Sequence, residues 1–140
     1  MNPPQFFRTL RRSIPQLKAE IARKVIAVEA ARFHNDNFRR QGYADTGVKT
    51  WKPRKDQDTT RSLLVKTGRL RRAATAGRTR GNVVDFVMPI YGKVHNEGGR
   101  AGRGRGFRMP KRQFAGPSRV LKDRFKAKAQ TLIKNRLNRI

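Results

Sequence analysis

Two histidines, one close pair of carboxylates and one glycine-rich run are the groups of this chain whose types and spacing could carry chemistry. His34 and His95 are its only imidazoles, and there is no cysteine. Two histidines without cysteine hold zinc only with carboxylate help, and neither has an acidic residue at a spacing that suggests it. His34 falls near a helix end and His95 in a tight turn, so both are read as structural or hydrogen-bonding residues. Asp56 and Asp58 are the nearest acidic pair. They fall in a polar loop, where two carboxylates are solvated rather than set against one another as acid and base. The run GGRAGRGRG at 98–106 has G-x-G spacing but lacks the Lys-Ser/Thr of a phosphate loop, and no strand clearly precedes it. No catalytic residue, metal ligand set or cofactor site emerges, and the expectation is a protein that is not an enzyme.

What remains is charge. The chain has 140 residues with 35 Lys and Arg against 9 Asp and Glu, a net charge of +26. Residues 98–140 hold 14 of the basic residues and one acidic residue, Asp123; 14 minus 1 is +13, half the total. Charge of one sign at this level directs a protein to nucleic acid or to acidic surfaces. Within the Gly/Arg segment 98–113, the candidates for contact with DNA or an acidic partner are Arg100, Arg103, Arg105, Arg108, Lys111 and Arg112. Glycine lets a backbone approach phosphates that arginine neutralises. The same composition suits an arm that folds onto a neighbouring subunit. Both readings stand on these residues. Without cysteine, disulfides and thiolate metal sites are excluded. No apolar run approaches the roughly 20 residues of a membrane span, so no membrane partner is expected. The start, MNPPQFFRTLRRS, has no signal-peptide core, which points to the cytoplasm.

The elements that must position these residues are those of one domain. Residues 1–12 read as an N-terminal arm, because Pro3 and Pro4 argue against a regular start. Residues 13–140 read as a single α+β domain. A long helix is expected from Ser13 to about Asn37, capped by Ser13 with Pro15 in its first turn. Ile14, Leu17, Ile21, Val25 and Val28 give it an apolar stripe. Residues 38–66 are poorly periodic and read as a loop. TGRLRRAAT at 67–75 begins as a helical turn, Asn82–Met88 reads as a strand, and 72–88 as a hairpin. Tyr91–Asn96 is a short helical turn stopped by Gly98 and Gly99. Gly116-Pro117-Ser118 opens a last helix with an apolar side of Leu121, Phe125, Ala129, Leu132, Ile133, Leu137 and Ile140. The expected architecture is two long helices packed with a small antiparallel sheet, extended loops and arms.

Read in order, several residues form a pattern. Gly47 and Trp51-Lys52-Pro53 come first. Thr67-Gly68-Arg69-Leu70 follows, then Tyr91-Gly92-Lys93-Val94-His95-Asn96-Glu97-Gly98-Gly99, then Met109 to Gly116 with Phe114. Their order resembles the phage virion morphogenesis family, the tail-completion or neck proteins of Mu-like and related tailed phages, over roughly residues 30 to 125. That family carries G-x-x-W-x-P, T-G-x-L, Y-A-x-x-H-x-x-G-G and R-x-F-x-G before a last helix. Here Trp51 follows Gly47 by four positions instead of three, and Gly92 stands where alanine is usual. The resemblance implies a structural subunit of the virion, assembled in the host cytoplasm as a homo-oligomeric ring at the head–tail junction or tail end. Its partners would be neck, connector or tail proteins, with double-stranded DNA as a further contact. Trp51, Gly68, Leu70, Tyr91, His95 and Phe114 would be scaffold. The alternative is a nucleic-acid-binding structural protein of ribosomal or nucleoid type, carried by the charge alone.

Overall fold

The computed structural model describes residues 1–55, 62–104 and 106–140. The first helix, α1, runs Pro3–Ile21 and begins ten residues before the expected start. The reason is a capping box. The Asn2 side chain accepts from the Gln5 backbone N–H at 3.0 Å, and the Gln5 side chain accepts from the Asn2 N–H at 3.3 Å. Pro3 and Pro4 occupy the first helical positions, where a missing N–H removes nothing. The prolines that argue for an irregular arm over 1–12 therefore start the helix instead. Ser13 is no cap; its hydroxyl donates to the Leu10 carbonyl at 2.8 Å inside the helix, and Pro15 lies in the interior.

A π turn over Ala22–Ile26 joins α1 to α2, Ala27–Arg40. One residue added to a helix turns its face by about 100°. The stripe read from the sequence is accordingly buried at Val25, half-buried at Leu17 and Ile21, and exposed by more than a third at Ile14 and Val28. Beyond the π turn the inward face is Glu29, Ala30, Phe33, His34, Asn37 and Phe38. Gln41 ends α2 in the left-handed region at φ 55°. Its side-chain amide donates to Phe38 O at 2.6 Å and accepts from Leu63 N at 2.6 Å, which fixes the chain end locally.

The stretch 38–66, expected as a loop, contains a β-hairpin of β1 (Gly42–Ala44) and β2 (Val48–Thr50). Helix α3 (Arg69–Thr75) takes the place of the first strand expected over 72–88, and the hairpin there is β3 (Gly77–Arg80) with β4 (Val83–Phe86). Helix α4 spans Ile90–Glu97 and stops at Gly98, φ 75°. The Gly/Arg segment folds into a third hairpin, β5 (Gly99–Ala101) with β6 (Phe107–Met109). Helix α5, Arg119–Leu137, is capped by Ser118 as the sequence suggests. The fold is α+β, with three separate two-stranded ribbons in place of one sheet. Of the apolar side expected on α5, only Leu121 is fully buried.

Two clusters form the core. Phe38, Trp51, Leu70, Ala74 and Phe114 make one; Phe33, Tyr43, Ala44 and Leu121 make the other. Both lie against α2, whose Phe38 meets Trp51 edge-on at 5.6 Å and Phe114 at 5.1 Å between ring centres. The β1 end also seats α5. Ser118 donates to Ala44 O at 2.7 Å, Asp45 accepts from Arg119 N at 2.8 Å, and the Tyr43 hydroxyl donates to Pro117 O. Burial, with Asp45 nearby, pushes that phenol up to about 12, so it remains a donor.

Candidate functional site

Residues 112–115 are the point where the separate elements meet. The Arg112 N–H donates to His95 O at 2.8 Å. Trp51 Nε1 donates to Gln113 O at 2.8 Å. Asn37 Nδ2 donates to Phe114 O at 3.0 Å, while its own Oδ1 accepts from Ala44 N. Asn96 Oδ1 accepts from both Phe114 N and Ala115 N, at 2.9 and 3.0 Å. A four-residue segment without regular structure thereby has its polar backbone matched by α2, α4 and the Trp51 strand end. Phe114 can then be buried completely between Phe38 and its neighbours.

Two glycines of the motifs have a structural reason, a positive φ at Gly68 and close approach at Gly92. Gly68 holds φ 74° at the start of α3, which aims Leu70 inward. Gly92 is buried, and a Cβ there would stand 3.1 Å from both Leu70 Cδ1 and Met88 Cβ. Glycine at 92 lets α4 sit closely on α3, and the turn before His95 is tight as a result.

Arg112 is the residue whose role differs most from expectation. It is 8% exposed. Its Nε donates to Lys52 O at 2.8 Å and its Nη2 to Pro53 O at 3.4 Å. It is a strut between the Trp51-Lys52-Pro53 segment and α4, not a surface contact for DNA. Burial, and then the neighbouring Arg54 charge, pull its guanidinium below the usual range. A guanidinium so perturbed still keeps its proton at neutral pH. Beside it, His95 is pushed down by burial and then by Arg112. The His95 Nδ1 is buried with no hydrogen-bond partner among the described residues, and its ring lies edge-on to Tyr91 at 6.0 Å.

The remaining basic candidates are carried outward from this support. In the β5–β6 ribbon, Arg100 stands directly opposite Arg108. Arg103 lies in the ribbon's turn, closed by Gly106 N donating to Arg103 O at 3.0 Å. Gly106 holds φ 61°, and a Cβ there would run into the Ala101 carbonyl, so the turn requires glycine. Arg108 and Lys111 line a groove of about 890 Å³ with Lys52, Pro53 and Lys55 on its far wall. Arg105 lies outside the described residues, as do Asp56 and Asp58. Among the described residues no group of three His, Cys, Asp or Glu could hold a metal, and no helix is long and apolar enough to cross a membrane.

The structure thus brings Trp51, His95, Phe114 and Arg112 together as a buried support, with Leu70 and Tyr91 beside it. Arg100, Arg103, Arg108 and Lys111 are projected on the ribbon and its flank. Sequence reasoning missed Asn37 and Asn96, whose amides hold the 112–115 segment. Asn96 stands in the Tyr91–Gly99 motif, so its position was in view, but its partners lie 18 and 19 residues away.

A family model described as the phage virion morphogenesis family matches residues 5–135 of the chain. Among curated proteins and among solved structures, none matches.

Proposed function

The chain belongs to the phage virion morphogenesis family, and from that membership we propose that it is a tail-completion or neck subunit, working as a ring at the head–tail junction or tail end. A structural or assembly role in a phage virion is what the family supplies. The match over nearly the whole chain is the observation that carries the finer reading, because the ring position belongs to the kind of protein the motifs resemble. The surface agrees with it. Helix α1 has 19 residues and none is fully buried, though helices of that length rarely stand alone in water. Ile90 is 97% exposed at the start of α4, with Val87 and Val83 exposed close by in the chain. Neighbouring subunits of a ring would cover such side chains. The reading includes no catalytic step and no cofactor.

The six basic residues of the Gly/Arg segment 98–113 favour one elaboration. The β5–β6 ribbon faces a polyanion, which in the virion is packaged DNA or an acidic neck protein. Electron microscopy of intact particles and of purified protein tests the whole reading. Rings of this protein at the neck or tail end are expected. A strict monomer that never enters particles would sink it.

A further inference from the structure

Beside Arg112 lies a second cleft, of about 410 Å³, lined by the Leu63–Leu64 turn, the start of α3 and α4. Its lining is of two kinds. Leu63, Leu64 and Tyr91 supply apolar walls, while Lys66, Arg69 and His95 supply polar heads, with Arg112 at the edge shared with the ribbon groove. Among the described residues no acidic side chain lines it. The side chains of Lys66 and Arg69 meet no partner among the described residues. Leu64 is held at φ 61°, a conformation uncommon for a residue with a side chain, and such strain gathers at binding sites. His95, whose buried Nδ1 meets no hydrogen-bond partner among the described residues, also lines this cleft.

We propose that this cleft receives an acidic, partly apolar segment of another virion protein, with a carboxylate between Lys66 and Arg69 and an apolar side chain against Leu63, Leu64 and Tyr91. In a second copy of this chain five of the nine acidic residues are already taken, because Glu20, Glu29, Asp36 and Asp85 are engaged by Lys24, Arg32, Arg39 and Arg80 and Asp45 caps α5, and a net charge of +26 opposes docking on a basic cleft. Nucleic acid fits less well, because the leucine walls offer a phosphate backbone nothing. Tyrosine and arginine, which this cleft presents as Tyr91 and Arg69, are by contrast the residue types that carry much of the binding energy in protein interfaces. The inference does not depend on where in the virion the subunit sits.

The probe is a fluorescein-labelled peptide alternating glutamate with leucine and phenylalanine, titrated by anisotropy into the full chain at about 0.15 M salt. Comparators are the same peptide with glutamine for glutamate, an all-polar peptide of equal charge, and a short DNA duplex. Saturable binding is expected, weakened about tenfold by the exposed pair Lys66→Glu with Arg69→Glu and little changed by Arg100→Glu with Arg108→Glu. The imidazole NMR signals of His95 should move on peptide addition while those of His34 stay. Equal binding of the all-polar peptide, or indifference to Lys66→Glu with Arg69→Glu, overturns the proposal. So does a DNA duplex that binds through Lys66 and Arg69 more tightly than the peptide. Failure here leaves the ring reading intact, since particle microscopy decides that separately.

Discussion

At the scale of single residues, the most consequential side chain is one amide oxygen. Asn96 Oδ1 accepts two backbone N–H groups, from Phe114 and Ala115. Removing it strands both donors beside a fully buried ring, and an unpaired donor costs about 1–3 kcal/mol. Asn96→Ala should therefore lower stability by roughly 2–4 kcal/mol in a urea titration, whereas Asn96→Asp, still an acceptor for both N–H groups, should lose less than half as much. Equal losses would mean that the amide's donor matters instead. The histidines give a second prediction. Burial is the first cause that holds both His34 and His95 below the ordinary imidazole range, although His34 Nδ1 is opposed in this by its 2.6 Å hydrogen bond to Ala74 O. The unfolded chain then takes up protons more readily than the folded one. Their stabilising effect is complete above the unfolded imidazole value of about 6.5 and is lost as pH falls through the lower folded values. The urea midpoint should fall between about pH 7.5 and about pH 5.5. His34→Asn, whose amide can donate in place of Nδ1–H, should flatten that slope.

Elements obey local signals where both partners of an interaction are close in the chain. Ser118 caps α5 by accepting from Leu121 N, three residues on, and the sequence alone places that cap. The Asn2–Gln5 box has the same spacing, but the two prolines between its members argue as readily for an irregular start as for the first turn of a helix. In α1, Pro15 removes one helical hydrogen bond from a helix with no fully buried residue. Pro15→Ala should restore it, and the gain of about 1–3 kcal/mol should appear as slower amide exchange over residues 7–20. Unchanged exchange there would mean that α1 is held by contacts and not by its own ladder. Less of the rest was legible. The strands of β1 and β2 have three residues each, too few for alternation to register. The π turn at Ala22–Ile26 leaves no mark in composition, yet it decides which face of α2 turns inward. The landmarks Trp51, Leu70 and Phe114 were readable through the order of the motifs that the family resemblance supplies, and all three are buried. Arg112 was not, because nothing local separates a buried arginine from its exposed neighbours in an arginine-rich run. Its partners, the carbonyls of Lys52 and Pro53, are 60 and 59 residues away.

The whole molecule carries an electrostatic load that its own contacts do little to relieve. Thirty-five basic residues face nine acidic ones. The ion pairs of the described residues are mostly on the surface, such as Arg80–Asp85 with the arginine side chain 77% exposed. Exposed pairs of this kind contribute little, about 0–1 kcal/mol each. Self-repulsion summed over +26 acts on every one of the remaining cations and favours expansion. Added salt therefore has two opposite effects, a small loss at the pairs and a larger relief of repulsion. Raising KCl from about 0.05 M to about 0.5 M shortens the screening length from about 14 Å to about 4 Å, less than the spacing of most charges on the surface. The melting temperature should rise by about 3 °C or more over that range. The rise should be smaller once the protein is assembled with an anionic partner, because that partner has already supplied the counter-charge. A melting temperature that falls with KCl would show that the ion pairs dominate, and that the basic surface is balanced within the subunit rather than by what it binds.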